Sequence, residues 1–244
     1  MIRRVLIVAL WLACGSAVIG GFYWLFLGTP ESSALMLVVS ALLLLAMGFI
    51  AAVIGNGGVL LALDETAIGS VKRATRDAYV FLLPLAVVVL GVVATRYVDG
   101  WLERASGEIG AWFIATFDWA DVTSVFRAAA YLSEWLRWVV VPLAALAVLA
   151  AVLRRGVRAL TSTRWVRAAW GWRTVLIATA VYVLCIALPW RLASWRPEGV
   201  PPSWIEPTLA GLKLFLAGAA MAIGAAVVIV VVARAVEAAT TPAG

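Results

Sequence analysis

Residues 33–54 read SALMLVVSALLLLAMGFIAAVI, an uncharged stretch long enough to cross hydrocarbon as a helix. About 20 apolar residues at 1.5 Å each cover the roughly 30 Å of a bilayer core. Backbone groups without water must bond within their own segment, which makes a helix the natural form for a lone apolar run of this length. The stretch opens after Glu31 and is followed by Gly55-Asn56-Gly57-Gly58, which predicts a turn.

Five more such stretches lie along the 244 residues. The six predicted spans are 5–28, 33–54, 78–95, 138–153, 174–190 and 209–233. The fourth and fifth are short, and flanking Trp and Arg extend them by snorkelling. Pro84 falls inside the third span, where neighbouring helices are expected to satisfy the freed carbonyl. Lys213 is the one charge inside the sixth, close enough to its start for the ammonium to reach the headgroups. Composition agrees: 65% of positions are hydrophobic and 13% charged, and mean hydropathy is +1.04. Soluble domains hold about 45–50% apolar and about 25% charged residues. The expected fold is therefore all-α, a single membrane domain over 1–244 built as a bundle of about six transmembrane helices.

Charge sorts by side. With alternating loops, the side holding the N-terminus carries 12 Lys and Arg and four acids, net +8. The other side carries six arginines against nine acids, net −3. Basic residues stay on the side of synthesis, so both termini are expected in the cytoplasm and the chain in the cell (inner) membrane. Tryptophans such as Trp24, Trp101, Trp138 and Trp190 fall near the outer span ends, in keeping with their preference for the interface.

The +6 net charge is thus a topology signal. Its basic residues crowd span ends rather than a soluble domain, and nucleic acid is not an expected partner. The basic inner loop, 154–173, holds Arg154, Arg155, Arg158, Arg164 and Arg167 and ends at Arg173. Attraction to anionic lipid headgroups is the expected role of these six.

Several chemistries are disfavoured. The chain has no histidine, and its two cysteines, Cys14 and Cys185, lie in apolar runs. Zinc, haem and copper sites draw on such ligands, and acid–base catalysis at neutral pH most often recruits His. No cofactor, no metal and no enzymatic activity are expected. Neither Gly-x-Gly-x-x-Gly nor a Walker pattern occurs. A lipid-modified Cys14 after a signal peptide is the weaker reading of the start, because the apolar run continues well past that residue.

Other segments could carry function. The outer segment, 96–137, lacks Gly and Pro from Ala111 onward, and is expected to form an amphipathic helix on the outer surface or one leading into span four. Asp118 and Asp121 sit three apart there, a possible outer polar site or simply solvated helix charge. On the inner face, 55–77 is expected to give a short interfacial helix feeding span three; a re-entrant gate built on the glycines is the alternative. Spans one and six carry small residues four apart: Ala13, Ala17 and Gly21, then Gly218, Ala222 and Ala226 with Ala220 and Gly224. Such stripes let helix backbones approach closely, within this bundle or toward a partner subunit or second copy. Residues 72–101 and 166–195 both run from a basic segment through a span to a tryptophan, which raises a duplicated hairpin.

Two functions follow as expectations. The first is a non-catalytic structural or accessory subunit, or a lipid-interacting membrane component. The second is a channel or transporter for a neutral or amphipathic solute, disfavoured for charge-coupled transport because no acid or histidine lies deep in any span.

Overall fold

The computed structural model describes residues 1–30, 33–63, 66–117, 122–194 and 205–240. Every regular element among them is helical. In chain order these are α1 (Ile2–Leu27), α2 (Ala34–Ala62), α3 (Ala67–Arg76), α4 (Leu82–Phe117), α5 (Thr123–Trp135), α6 (Val141–Arg155), α7 (Arg164–Ala169), α8 (Trp172–Tyr182), α9 (Leu188–Ser194) and α10 (Ile205–Thr240). Six continuous helices are long and apolar enough to cross a membrane: Ile2–Leu27, Ala34–Ala62, Ala78–Phe117, Thr123–Arg155, Trp172–Leu192 and Thr208–Ala239.

The expected turn at Gly55–Gly58 does not form. Helix α2 runs through it to Ala62, because the glycines serve close packing rather than chain reversal. A β-carbon on Gly57 would lie 2.6 Å from Trp11 Cζ2, and one on Gly55 2.6 Å from Phe81 Cε2. Trp11 Nε1 donates to the Ile54 carbonyl at 2.9 Å. Helices α1 and α2 therefore pack antiparallel, with indole and backbone in contact. The short helix expected within 55–77 is present as α3, capped by Thr66, whose hydroxyl accepts from Gly69 N at 3.2 Å. Asp64 and Glu65, which precede it in the sequence, lie outside the described residues.

A helix leading into span four, one of the two arrangements expected within 96–137, is present as α5. Instead of ending near Thr95, the third span continues as α4 to Phe117, and α5 continues into α6. These form a long antiparallel hairpin, since Asp99 meets Ser133 and Gly110 meets Phe126. Residues 118–121, between α4 and α5, lie outside the described residues. At about 1.5 Å per residue, the 36 residues of α4 span roughly 54 Å, so the hairpin outreaches a bilayer core.

Prolines shape two of the helices. Pro142 and Pro189 each follow a π-helical turn, Leu136–Val140 and Val183–Ala187. A proline has no N–H for the carbonyl four residues back, and its ring crowds that carbonyl. The backbone widens to a five-residue step: Val141 N donates to Leu136 O, and Leu188 N to Val183 O. Pro84 needs no such device, because it lies in the first turn of α4, where its N–H would be unpaired anyway.

The core gathers at one end. In Thr123–Arg155, 56% of the apolar window is buried, against 6% in Trp172–Leu192 and 11% in α1, so α6 is the central helix. Its buried face is Leu143, Ala147, Leu149, Ala150 and Ala151, packed against Leu60 of α2 and Val230 and Val232 of α10. At that end Arg73 donates to the Leu153 carbonyl. Asn56 Nδ2 donates to the Asp77 carbonyl at 2.9 Å, and Arg154 pairs with Glu237 at 3.1 Å. The ends of α2, α6 and α10 thus meet around α3.

Candidate functional site

Two polar regions lie toward opposite ends of the bundle. The first follows α6, which Gly156 ends at φ +72°, a backbone state that favours glycine. The chain turns through Val157–Thr161 and α7, and buries Ala159, Trp165 and Ala169 in the core. These anchors make 154–173 a docked platform. Arg155, Arg158, Arg164, Arg167 and Arg173 are all exposed on it, while Arg154 is exposed but tied to Glu237. Arg173 lies 5.4 Å from the centroid of the Trp172 ring, a cation–π contact. The sequence-derived headgroup residues are therefore all exposed along this one segment.

Beside the platform, Asp77 binds Arg76 Nε at 2.9 Å and Arg73 Nε at 3.6 Å. The Arg76 hydrogen bond holds its carboxyl below the usual carboxylate range, helped by the charges of Arg76 and Arg73 and opposed by partial burial.

The second region was not singled out from the sequence. Between α4 and α5 lies a cleft of about 460 Å³, large enough for a small ligand. Its polar wall is Arg96, Asp99, Glu103, Ser133, Glu134 and Arg137, and its apolar wall includes Leu102, Phe126 and Ala129. At its base Arg137 pairs with Asp99, Ser133 donates to the same carboxylate, and Arg137 Nε donates to Thr95 Oγ1 at 3.3 Å. The Arg137 side chain is 17% exposed and that of Asp99 29%, so solvent screens this pair less than a surface one. The π turn before Pro142 carries Arg137, while Trp135 Nε1 donates to Thr179 Oγ1 at 3.0 Å and ties α5 to α8. One signal was readable: Arg96, Asp99, Glu103 and Ser106 follow at spacings of three, four and three, one face of a helix.

The other expected sites fare differently. Asp118 and Asp121 lie outside the described residues. Ala13, Ala17 and Gly21 are exposed along α1 and make no packing surface within this bundle. On α10 the stripe divides. Gly224 and Ala226 are buried, with a β-carbon on Gly224 falling 2.7 Å from Cys185 Cβ. Ala220 and Ala222 are half-buried, and Gly218 is exposed with open space beside it. Among the described residues no three His, Cys, Asp or Glu side chains come together.

Comparison with protein-family models, curated proteins and solved structures finds no match to this chain.

Proposed function

We propose that this chain is a non-catalytic, lipid-interacting multi-pass membrane protein, with both termini cytoplasmic and the 154–173 platform seated on anionic headgroups. The observation that carries the reading is the division of that platform into buried anchors and five outward arginines without ion-pair partners in the described structure. Each basic residue at an anionic surface contributes about 1 kcal/mol, so five acting together exceed thermal energy several-fold. The packed alanine and leucine face of α6 supports a solid bundle over a conduit for solutes.

The test uses the purified full chain in nonionic detergent, with melting followed as phosphatidylglycerol or phosphatidylcholine is added. Phosphatidylglycerol is expected to raise Tm more than phosphatidylcholine, and added salt to shrink the difference. The combined variant Arg155→Gln, Arg158→Gln, Arg164→Gln, Arg167→Gln is expected to abolish the preference. Equal stabilisation by both lipids, or a preference untouched by the four substitutions, overturns the reading.

A further inference from the structure

The cleft between α4 and α5 has an axial order of charge. Gly91 sits against Val141 in the apolar part of the hairpin, where a β-carbon would fall 2.5 Å from Val141 Cγ2. Moving toward the tip, Thr95 meets Arg137, Asp99 meets Ser133, and Gly110 meets Val122 and Phe126. The cations Arg96 and Arg137 therefore line the mouth nearest the apolar stretches 78–95 and 138–153. Glu134 lies three residues farther along α5, about 4.5 Å, and Glu103 seven residues beyond Arg96, about 10 Å. Exposed Tyr97, Trp101 and Trp138 surround the same level, the placement aromatic side chains take where hydrocarbon meets headgroups.

The charges in the cleft are not all consumed within the protein. Asp99 is occupied by Arg137 and Ser133. Arg96 and Glu103 line the cleft without an ion-pair partner among the described residues. What remains is a guanidinium near the hydrocarbon level and, farther out, the Glu103 carboxylate and that of Glu134, which also bonds Tyr182 of α8, beside the apolar wall of Leu102, Phe126 and Ala129.

We propose that this cleft binds a zwitterionic aminophosphate group, its phosphate on Arg96 and the free face of Arg137 and its ammonium on Glu103 and Glu134. In a phosphatidylethanolamine molecule the phosphate lies next to the acyl chains and the ammonium beyond it, the same order as these side chains. An arginine suits phosphate through paired N–H donors, and an ammonium offers three donors to carboxylates. A lipid with phosphate alone faces the two glutamates without a counter-charge. A choline headgroup has no N–H to give them. Free O-phosphoethanolamine presents the same two groups without the acyl anchor. The inference rests on the membrane-embedded reading of the spans but not on the arginine platform.

Calorimetric titration of the full chain in nonionic detergent tests it, with dioctanoyl phosphatidylethanolamine, phosphatidylglycerol and phosphatidylcholine as probes and O-phosphoethanolamine as competitor. Phosphatidylethanolamine is expected to bind at least about tenfold tighter than the other two lipids. Arg96→Gln and the pair Glu103→Gln, Glu134→Gln are each expected to weaken it about tenfold, as loss of a charged hydrogen bond does. Arg96→Lys retains most of the affinity, and circular dichroism of each variant reports its fold. The platform variant with four glutamines leaves this binding unchanged, which separates the two proposals. Competition by O-phosphoethanolamine with the same variant pattern supports the site and assigns it an aqueous ligand; its failure to compete assigns a lipid. Equal binding of all three lipids, or phosphatidylethanolamine binding indifferent to Arg96→Gln and the glutamate pair, overturns the proposal.

Discussion

At Gly57 a single hydrogen atom decides how closely α1 and α2 approach. The indole of Trp11 fills the place a β-carbon would take and also donates to the Ile54 carbonyl. A rigid ring held by a hydrogen bond cannot swing aside as a flexible side-chain end can. Gly57→Ala is therefore expected to destabilise the protein by about 1–3 kcal/mol, the usual cost of overpacking. Gly20→Ala, which meets open space, leaves stability unchanged, and melting in detergent compares the two. A pH effect belongs to Asp77. Its folded carboxyl titrates below its ordinary value, chiefly through the Arg76 hydrogen bond. The charged form thus stabilises the fold at neutral pH, and the contribution fades as pH falls from the ordinary carboxylate range through the lowered value. Melting temperature is expected to drop over that acid window, and Asp77→Asn to flatten the drop. An Asp77→Asn curve as steep as wild type would place the acid sensitivity elsewhere.

Among the elements, the hairpin of α4 and α5 depends on one proline. Pro142 forces the wide turn Leu136–Val140, and that turn sets the rotation with which Ser133 and Arg137 face Asp99. Relaxing a π turn to α removes its extra residue and rotates everything upstream by about 100°, one residue of a helix with 3.6 per turn. A β-carbon at Gly110 would lie 3.5 Å from Val122 Cγ2, so cysteines replacing these two residues, with Cys14 and Cys185 changed to serine, are expected to form a disulfide readily. Adding Pro142→Ala is expected to lower that yield severalfold on non-reducing gels; an unchanged yield means the turn does not set the register. The sequence made the spans visible because apolar length is a local property. It misled at Gly55–Gly58, where glycines that would turn a chain in water allow close packing inside a helix. It hid the cleft because Asp99 and Arg137 are 38 residues apart, and their meeting depends on the rotation a π turn supplies. Counting charges by side, rather than by helix face, left the Arg96, Asp99, Glu103 and Ser106 series unused.

For the molecule as a whole, burial and charge are uneven in the same direction. Helices converge where α3, α7 and the ends of α2, α6 and α10 meet, and this end carries the arginine platform and the cap from Arg73 to Leu153. Away from it the helices expose apolar side chains such as Trp24, Leu45, Leu90 and Phe215, a surface suited to lipid rather than water. On the function proposed above, the surplus of basic residues at the packed end keeps this end on the side of synthesis. Val157 on the platform and Gly107 in the hairpin are both exposed. Single cysteines at these positions, in a chain whose own two cysteines are serine, report orientation without disturbing the core. A membrane-impermeant maleimide added to intact cells is expected to label the Gly107→Cys protein and to spare Val157→Cys until the membrane is opened. The opposite pattern would put the arginines outside, where the charge asymmetry could not have directed insertion.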